Sequence, residues 1–131
     1  KLNLIVMNIP DNLKYSKDHE WLKIEGNLAT VGITDFAQSQ LGDIVFVDIQ
    51  TMSETLDKNE VFGAIEAVKT VADALMPVSG TIEEVNQLLE EAPQTVNEDP
   101  YGKGWMVRIR MSDPQEVGDL LDARAYGELI S

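Results

Sequence analysis

Along the chain, apolar residues fall in short runs closed by Gly, Pro, Asn or Asp, a pattern that predicts strands rather than long helices. Trp21-Leu22-Lys23-Ile24 and Leu28-Ala29-Thr30-Val31 flank Glu25-Gly26-Asn27. Gly and Asn accept positive φ, so a β-hairpin is expected there. A short helix follows. Thr34 is its expected N-cap, Asp35 sits in the first turn where a carboxylate complements the helix dipole, and Gly42 is the expected C′ residue. Phe36 and Leu41 lie about one turn apart and are both expected to face a core. Ile44 to Ile49 is β-branched and aromatic and reads as a buried strand. Ser53 to Asn59 is polar and reads as a loop. Val61 to Val68 reads as a strand interrupted by Gly63, and Ala72 to Met76 as another. Pro77-Val78-Ser79-Gly80 reads as a turn and Thr81 to Val85 as a strand. Gln87 to Ala92 has room for one or two helical turns before Pro93, and Asn97 to Gly102 is dense in turn formers. Trp105, Val107, Ile109 and Met111 alternate with Met106, Arg108 and Arg110, the signature of a half-buried strand. Asp113-Pro114 starts a helix with Val117, Leu120 and Leu121 at helical spacing, and Asp122 caps a second segment running to Leu129. Closely spaced strands, a helix near residues 34–41 and a helical C-terminus predict a mainly β fold, a small barrel or sandwich.

Composition narrows the chemistry. The 131 residues, 44% hydrophobic and 25% charged, suit one globular domain. Asp plus Glu numbers 23 against 10 for Lys plus Arg, a net charge of −13 that repels phosphate backbones and excludes ordinary nucleic-acid binding. With no cysteine there is no disulfide, thiolate metal site or Cys nucleophile, and with one histidine, His19, no multi-His metal site. An enzyme proper is not expected, because no nucleophile–base pair is recognisable. His19 reads as a hydrogen-bonded structural histidine. Trp21 and Trp105 read as core or partly buried aromatics, the methionines as core filler, and Gly63, Gly80 and Gly104 as serving backbone geometry. The acids from Glu83 to Asp99, with no Lys or Arg among them, form either a solvated face or a patch that steers a basic partner. No apolar run approaches membrane-spanning length, so no membrane association is expected. Lys1–Val6 reads as a cloning remnant or an upstream extension and 7–131 as the domain, with Met7 its expected start. A cytoplasmic setting is expected, although a mature mitochondrial form would look the same.

One lysine stands apart. Val61 to Val68 and Thr70 to Met76 meet at Lys69, which places it on a protruding turn. Most lysines are merely solvated charges. A carrier protein, however, wants such a placement, because a modifying enzyme must reach the amine and a long cofactor must swing clear. The segment Gly63-Ala64-Ile65-Glu66-Ala67-Val68-Lys69-Thr70, followed by Pro77-Val78-Ser79-Gly80-Thr81-Ile82, resembles the lipoyl-attachment region of the glycine cleavage system H proteins. Three more stretches resemble the same family in the same order: His19-Glu20-Trp21, Gly32 to Asp43, and Asn97 to Met106. The resemblance runs from about Asn8 to Leu129.

The resemblance implies a barrel-sandwich hybrid fold with added helices and lipoate in amide linkage to Lys69. It implies a shuttle among three enzymes. A pyridoxal-phosphate glycine decarboxylase loads an aminomethyl group onto the arm, a tetrahydrofolate-dependent aminomethyltransferase removes it, and a dihydrolipoyl dehydrogenase using FAD and NAD reoxidises the dithiol. A lipoyl-attaching ligase or transferase is a further partner, with Glu66 its candidate recognition carboxylate. The carrier is expected to be a monomer. The resemblance also implies a cleft for the loaded arm, lined partly by Glu20 and Asp73, whose charges would keep the amine protonated. Asp18 stands where many relatives have Ser and adds a third acid there. Biotin carriers typically flank the lysine with Met, and 2-oxoacid dehydrogenase lipoyl domains precede it with Asp, whereas Val68 and Thr70 flank it here. Two alternatives stay open: a donor relaying lipoate to other lipoyl domains, and an unmodified β-domain acting as a binding module.

Overall fold

The computed structural model describes residues 7–131, and the expectation for Lys1–Val6 lies outside the described residues. The first strands are β1 (Lys14–Tyr15), β2 (Glu20–Glu25) and β3 (Leu28–Ile33). The β2–β3 hairpin forms as expected, with Glu25 opposite Leu28 and Gly26 at φ 61 in the two-residue turn. Helix α1 (Asp35–Leu41) follows, its first turn capped by the Thr34 side chain, which accepts from the Ala37 N–H. Next come β4 (Ile44–Asp48), β5 (Thr55–Leu56), β6 (Val61–Ala67), β7 (Val71–Leu75) and β8 (Gly80–Val85). Two short helices, α2 (Leu88–Glu91) and α3 (Thr95–Glu98), lead to β9 (Val107–Met111), a 3₁₀ turn over Pro114–Asp119 and the terminal helix α4 (Ala123–Ile130).

The strands form two antiparallel sheets, one of six in the order β1-β2-β3-β9-β8-β5 and one of three in the order β4-β6-β7. The core lies between them. Leu22, Val31, Ile82 and Ile109 from the larger sheet meet Val47, Phe62 and Ile65 from the smaller, all buried. A second cluster of Leu13, Tyr15, Trp21 and Tyr126 fastens α4 to the far end of the larger sheet. There Tyr15 and Tyr126 stack at 4.7 Å, and the Trp21 Nε1–H donates to the Pro100 carbonyl at 2.9 Å.

Several expectations need correction. β4 is buried only at Ile44 and Val47; a register shift between Ile44 and Phe46 turns Val45 and Phe46 outward. The loop expected over Ser53 to Asn59 contains β5, which pairs its two residues with Gly80 and Thr81. The turn-rich region near Asn97 begins with α3. Met106 precedes β9 and is fully buried, so the alternation holds from Val107 but not before it. Met52 is exposed and fills no core. The segment after Asp113 is 3₁₀ rather than α. Two of the acids from Glu83 onward are paired across strands: Glu84 with Arg108 at 2.6 Å and Glu83 with Arg110 at 3.1 Å. Sequence distance hid those cations.

Candidate functional site

β6 and β7 form a hairpin whose last pair is Glu66 opposite Val71. The Ala67 N–H donates to the Thr70 carbonyl at 2.8 Å, leaving Val68 and Lys69 at the tip. The Val68 N–H donates to the Asp43 carbonyl at 3.0 Å, which ties the tip to the chain between α1 and β4. Lys69 is exposed, and its side chain leans back over Gly42. A Cβ at position 42 would lie in ordinary van der Waals contact with Lys69 Cε, at 3.4 Å, so it is the backbone conformation, at φ 80, that favours glycine there. Glu66 shares a cross-strand row with Phe46 and Val71. Val68 and Val71, 75% and 62% exposed, flank the lysine with apolar surface.

Beside β7 opens a cleft of about 380 Å³. Ile33, Phe36, Leu41 and Ile65 give it apolar walls, and Asp18, His19, Glu20, Gln40 and Asp73 supply its polar groups. Phe36 thus faces a cleft instead of a closed core, whereas Leu41 lines the cleft and also packs against the core as expected. The structure brings together Glu20 and Asp73, which are far apart in sequence, and α1 carries the cleft wall up to the lysine through Leu41 and Gly42. Glu66 is not part of this cleft. Asp18 is exposed and stands between the cleft and a neighbouring pocket lined by Lys17 and Lys58.

The two cleft carboxyls are not alike. Asp73 is exposed. Glu20 is only 3% exposed, accepts a hydrogen bond from the Ser16 hydroxyl, and donates its own N–H to Ser16 Oγ at 3.0 Å. Burial pushes its pKa up to about 8; the Ser16 bond and a backbone bond from Leu75 pull the other way, and the Asp18 charge adds to the rise. At neutral pH burial therefore favours the protonated form of the Glu20 carboxyl. His19 is at φ 72, and its Nδ1 lies 2.8 Å from the Tyr126 hydroxyl. Burial lowers its pKa, partly opposed by Asp18. Phe36, Leu41 and Tyr126 were not legible as site residues. The apolar spacing of α1 showed that one face was covered, but not that a cleft covered it. Among the described residues no group of three His, Asp or Glu is placed to hold a metal ion.

Comparison with known proteins decides the family. The family model for the glycine cleavage H-protein matches residues 13–131. The chain belongs to the glycine cleavage system H-protein family. It is 59% identical over 126 residues to the H protein of Chlorobium limicola, covering 95% of this chain and 98% of that one. It is 54% identical over 125 residues to that of Bacteroides thetaiotaomicron, covering 95% and 99%. The crystal structure of an H protein from Mycobacterium marinum superposes with a TM-score of 0.84 at 40% identity, covering 92% of this chain and 97% of that one. The two-sheet architecture is thus the barrel-sandwich hybrid of H proteins, and the chain has its role in the glycine cleavage system as a carrier protein and not as a catalyst. No described helix is long and apolar enough to cross a membrane.

Proposed function

We propose that the chain is the lipoyl-bearing shuttle of the glycine cleavage system, with lipoate in amide linkage to Lys69. The observation that carries this reading is the join between lysine and cleft. An exposed amine on an anchored hairpin tip leans over Gly42, where a wall of apolar side chains leads to a group of carboxyls. That arrangement fits a tethered guest with an aliphatic chain and a polar end. When bound, lipoate supplies a dithiolane that takes up an aminomethyl group and cycles between disulfide and dithiol.

The protein's own residues position and protect. Ile33, Phe36, Leu41 and Ile65 exclude water from the chain of the guest. Asp73 offers a standing negative charge, and Glu20 offers one on demand. A cation arriving beside Glu20 favours its carboxylate form, so the carboxyl releases its proton as the ammonium enters. Glu66 pairs across strands with Phe46 and Val71 beside the tip, which supports its reading as the carboxylate recognised by the lipoyl-attaching ligase or transferase. The glycine decarboxylase, the aminomethyltransferase and the dihydrolipoyl dehydrogenase are the proposed partners of the arm, and the carrier acts as a monomer over residues 7–131.

The test is intact-mass measurement of protein co-expressed with a lipoate ligase and lipoate, with peptide mapping around Lys69. One lipoyl adduct on Lys69, absent in Lys69→Arg, is expected. Lys69→Arg should also abolish shuttle activity with the three enzymes while leaving the fold intact; full activity in that variant overturns the proposal.

A further inference from the structure

The cleft wall formed by His19 is held from behind by groups that the attachment chemistry does not explain. The Ala37 N–H donates to Thr34 Oγ1 at 3.2 Å, Thr34 Oγ1 lies 2.7 Å from the Tyr126 hydroxyl, and that hydroxyl lies 2.8 Å from His19 Nδ1. Thr34 and Tyr126 are fully buried. The protons in this chain can be assigned by counting. Thr34 has one hydroxyl proton, and among the described residues its only acceptor is Tyr126. Were Tyr126 the donor of that bond, the Thr34 proton would be buried without a partner, which costs more than a typical hydrogen bond gains. Thr34 therefore donates to Tyr126, and Tyr126 donates to His19. An acceptor Nδ1 carries no proton, so the neutral ring carries its proton on Nε2. An imidazolium would have to reverse that bond, donating to the Tyr126 oxygen and leaving the Tyr126 proton without an acceptor among the described residues.

The free face of the ring looks elsewhere. His19 lines the cleft, its ring stands 5.0 Å from that of Phe36, and Nε2 has no partner among the described residues. The backbone on both sides is pinned: the His19 N–H donates to the Ser16 carbonyl at 3.2 Å and the Thr34 N–H to the His19 carbonyl at 3.0 Å. Phe36 lies near the start of α1 and Gly42 just past its end, a span of about 9 Å at the helical rise per residue. Lys69 Cε sits over Gly42. An acyl chain of the length of lipoate, laid along α1 from that point, brings its sulfur end and not its amide to His19.

We propose that Tyr126 fixes His19 as the Nε2–H tautomer and that His19 thereby offers a hydrogen-bond donor in the cleft to a sulfur of the arm on Lys69. The inference rests on the lipoyl-carrier reading above. Tyr126 is a positioning residue; His19 touches the guest. A thiolate is the sulfur form that gains most from such a donor, so the donor favours ionisation of the reduced arm. Asp18 and Asp73, and Glu20 once it is ionised, face the same space and act in the opposite sense.

The chain has one histidine, so nitrogen-15 NMR of its imidazole reads this residue alone. In the parent at neutral pH, a protonated Nε2 and an unprotonated Nδ1 are expected, and Tyr126→Phe should shift the pattern toward the other tautomer. On lipoylated, reduced protein, verified by mass, thiolate absorbance is followed against pH. His19→Ala should hold severalfold less thiolate than the parent at a given pH below the thiol midpoint, and His19→Gln, which keeps a side-chain N–H, should restore much of it. A protonated Nδ1 in the parent, an unchanged tautomer in Tyr126→Phe, or equal thiolate in His19→Ala overturns the inference. Absence of lipoate from Lys69 overturns the carrier reading, and with it the donor role, whatever the tautomer.

Discussion

At Glu20, the burial that lifts the carboxyl to about 8 also sets how the fold responds to pH. The folded state holds this proton more tightly than the unfolded chain. Its contribution to stability is therefore full below the ordinary carboxyl range and is lost as pH rises from there through about 8. Glu20→Gln keeps the shape and removes the titration. It should make thermal stability flatter across that window and raise it at the alkaline end. Melting temperatures of parent and variant at several pH values, at constant salt, check this. His19 works in the other direction, because a histidine with a lowered pKa loses stability as pH falls through its folded value. For the arm, Glu20→Ala and Asp73→Ala should leave lipoylation unchanged and shorten the lifetime of the aminomethyl-carrying protein, read as formaldehyde and ammonia release without the folate enzyme. Release no faster than the parent in both variants would show that protection does not depend on these carboxyls. Glu66→Ala should slow lipoylation with an unchanged circular dichroism spectrum. Sequence made Lys69 legible because a hairpin tip is set by neighbours in the chain. It could not show that Glu20 is buried, because β7 and Ser16 close over it only in three dimensions.

The elements whose signals are local formed where expected. The β2–β3 hairpin and α1 are specified by Gly26, Thr34, Asp35 and Gly42, each within a turn of the structure it directs. β4 and β5 depart from the sequence pattern because a bulge and a two-residue pairing depend on the partner strand, which periodicity cannot supply. The Thr34 hydroxyl both caps α1 and bonds Tyr126 on α4. Thr34→Ala should therefore cost more than an isolated cap, about 2 kcal/mol or more, because a buried tyrosine hydroxyl loses a partner as well. Chemical denaturation, compared with Tyr126→Phe and the double variant, should show strong non-additivity. At the join of β8 and β9, a Cβ on Gly80 would collide with the Arg110 carbonyl oxygen. Gly80→Ala should lower stability by roughly 3 kcal/mol through forced separation of the two strands, and a loss below the resolution of denaturant titration would contradict that packing.

Over the whole molecule, a net charge of −13 favours approach by partners with basic docking surfaces. Steady-state shuttle rates at limiting carrier should fall as salt rises toward molar levels; salt-independent rates would assign docking to the apolar surface around Val68, Val71 and Phe46 instead. The acids of the Glu83–Asp99 region contribute less than their number suggests, because Glu83 and Glu84 are paired. The bond from Val68 to Asp43 has a consequence of its own. It turns the hairpin tip into a fixed pivot, so the lipoyl group proposed on Lys69 would search only the volume its tether sweeps. Capture by the neighbouring cleft is then intramolecular, at an effective concentration in the millimolar range for a short flexible tether. A free amine or free lipoamide in the surrounding solution would have to reach comparable concentrations before it displaced the protein's own arm, so the site can be weak for strangers and still well occupied.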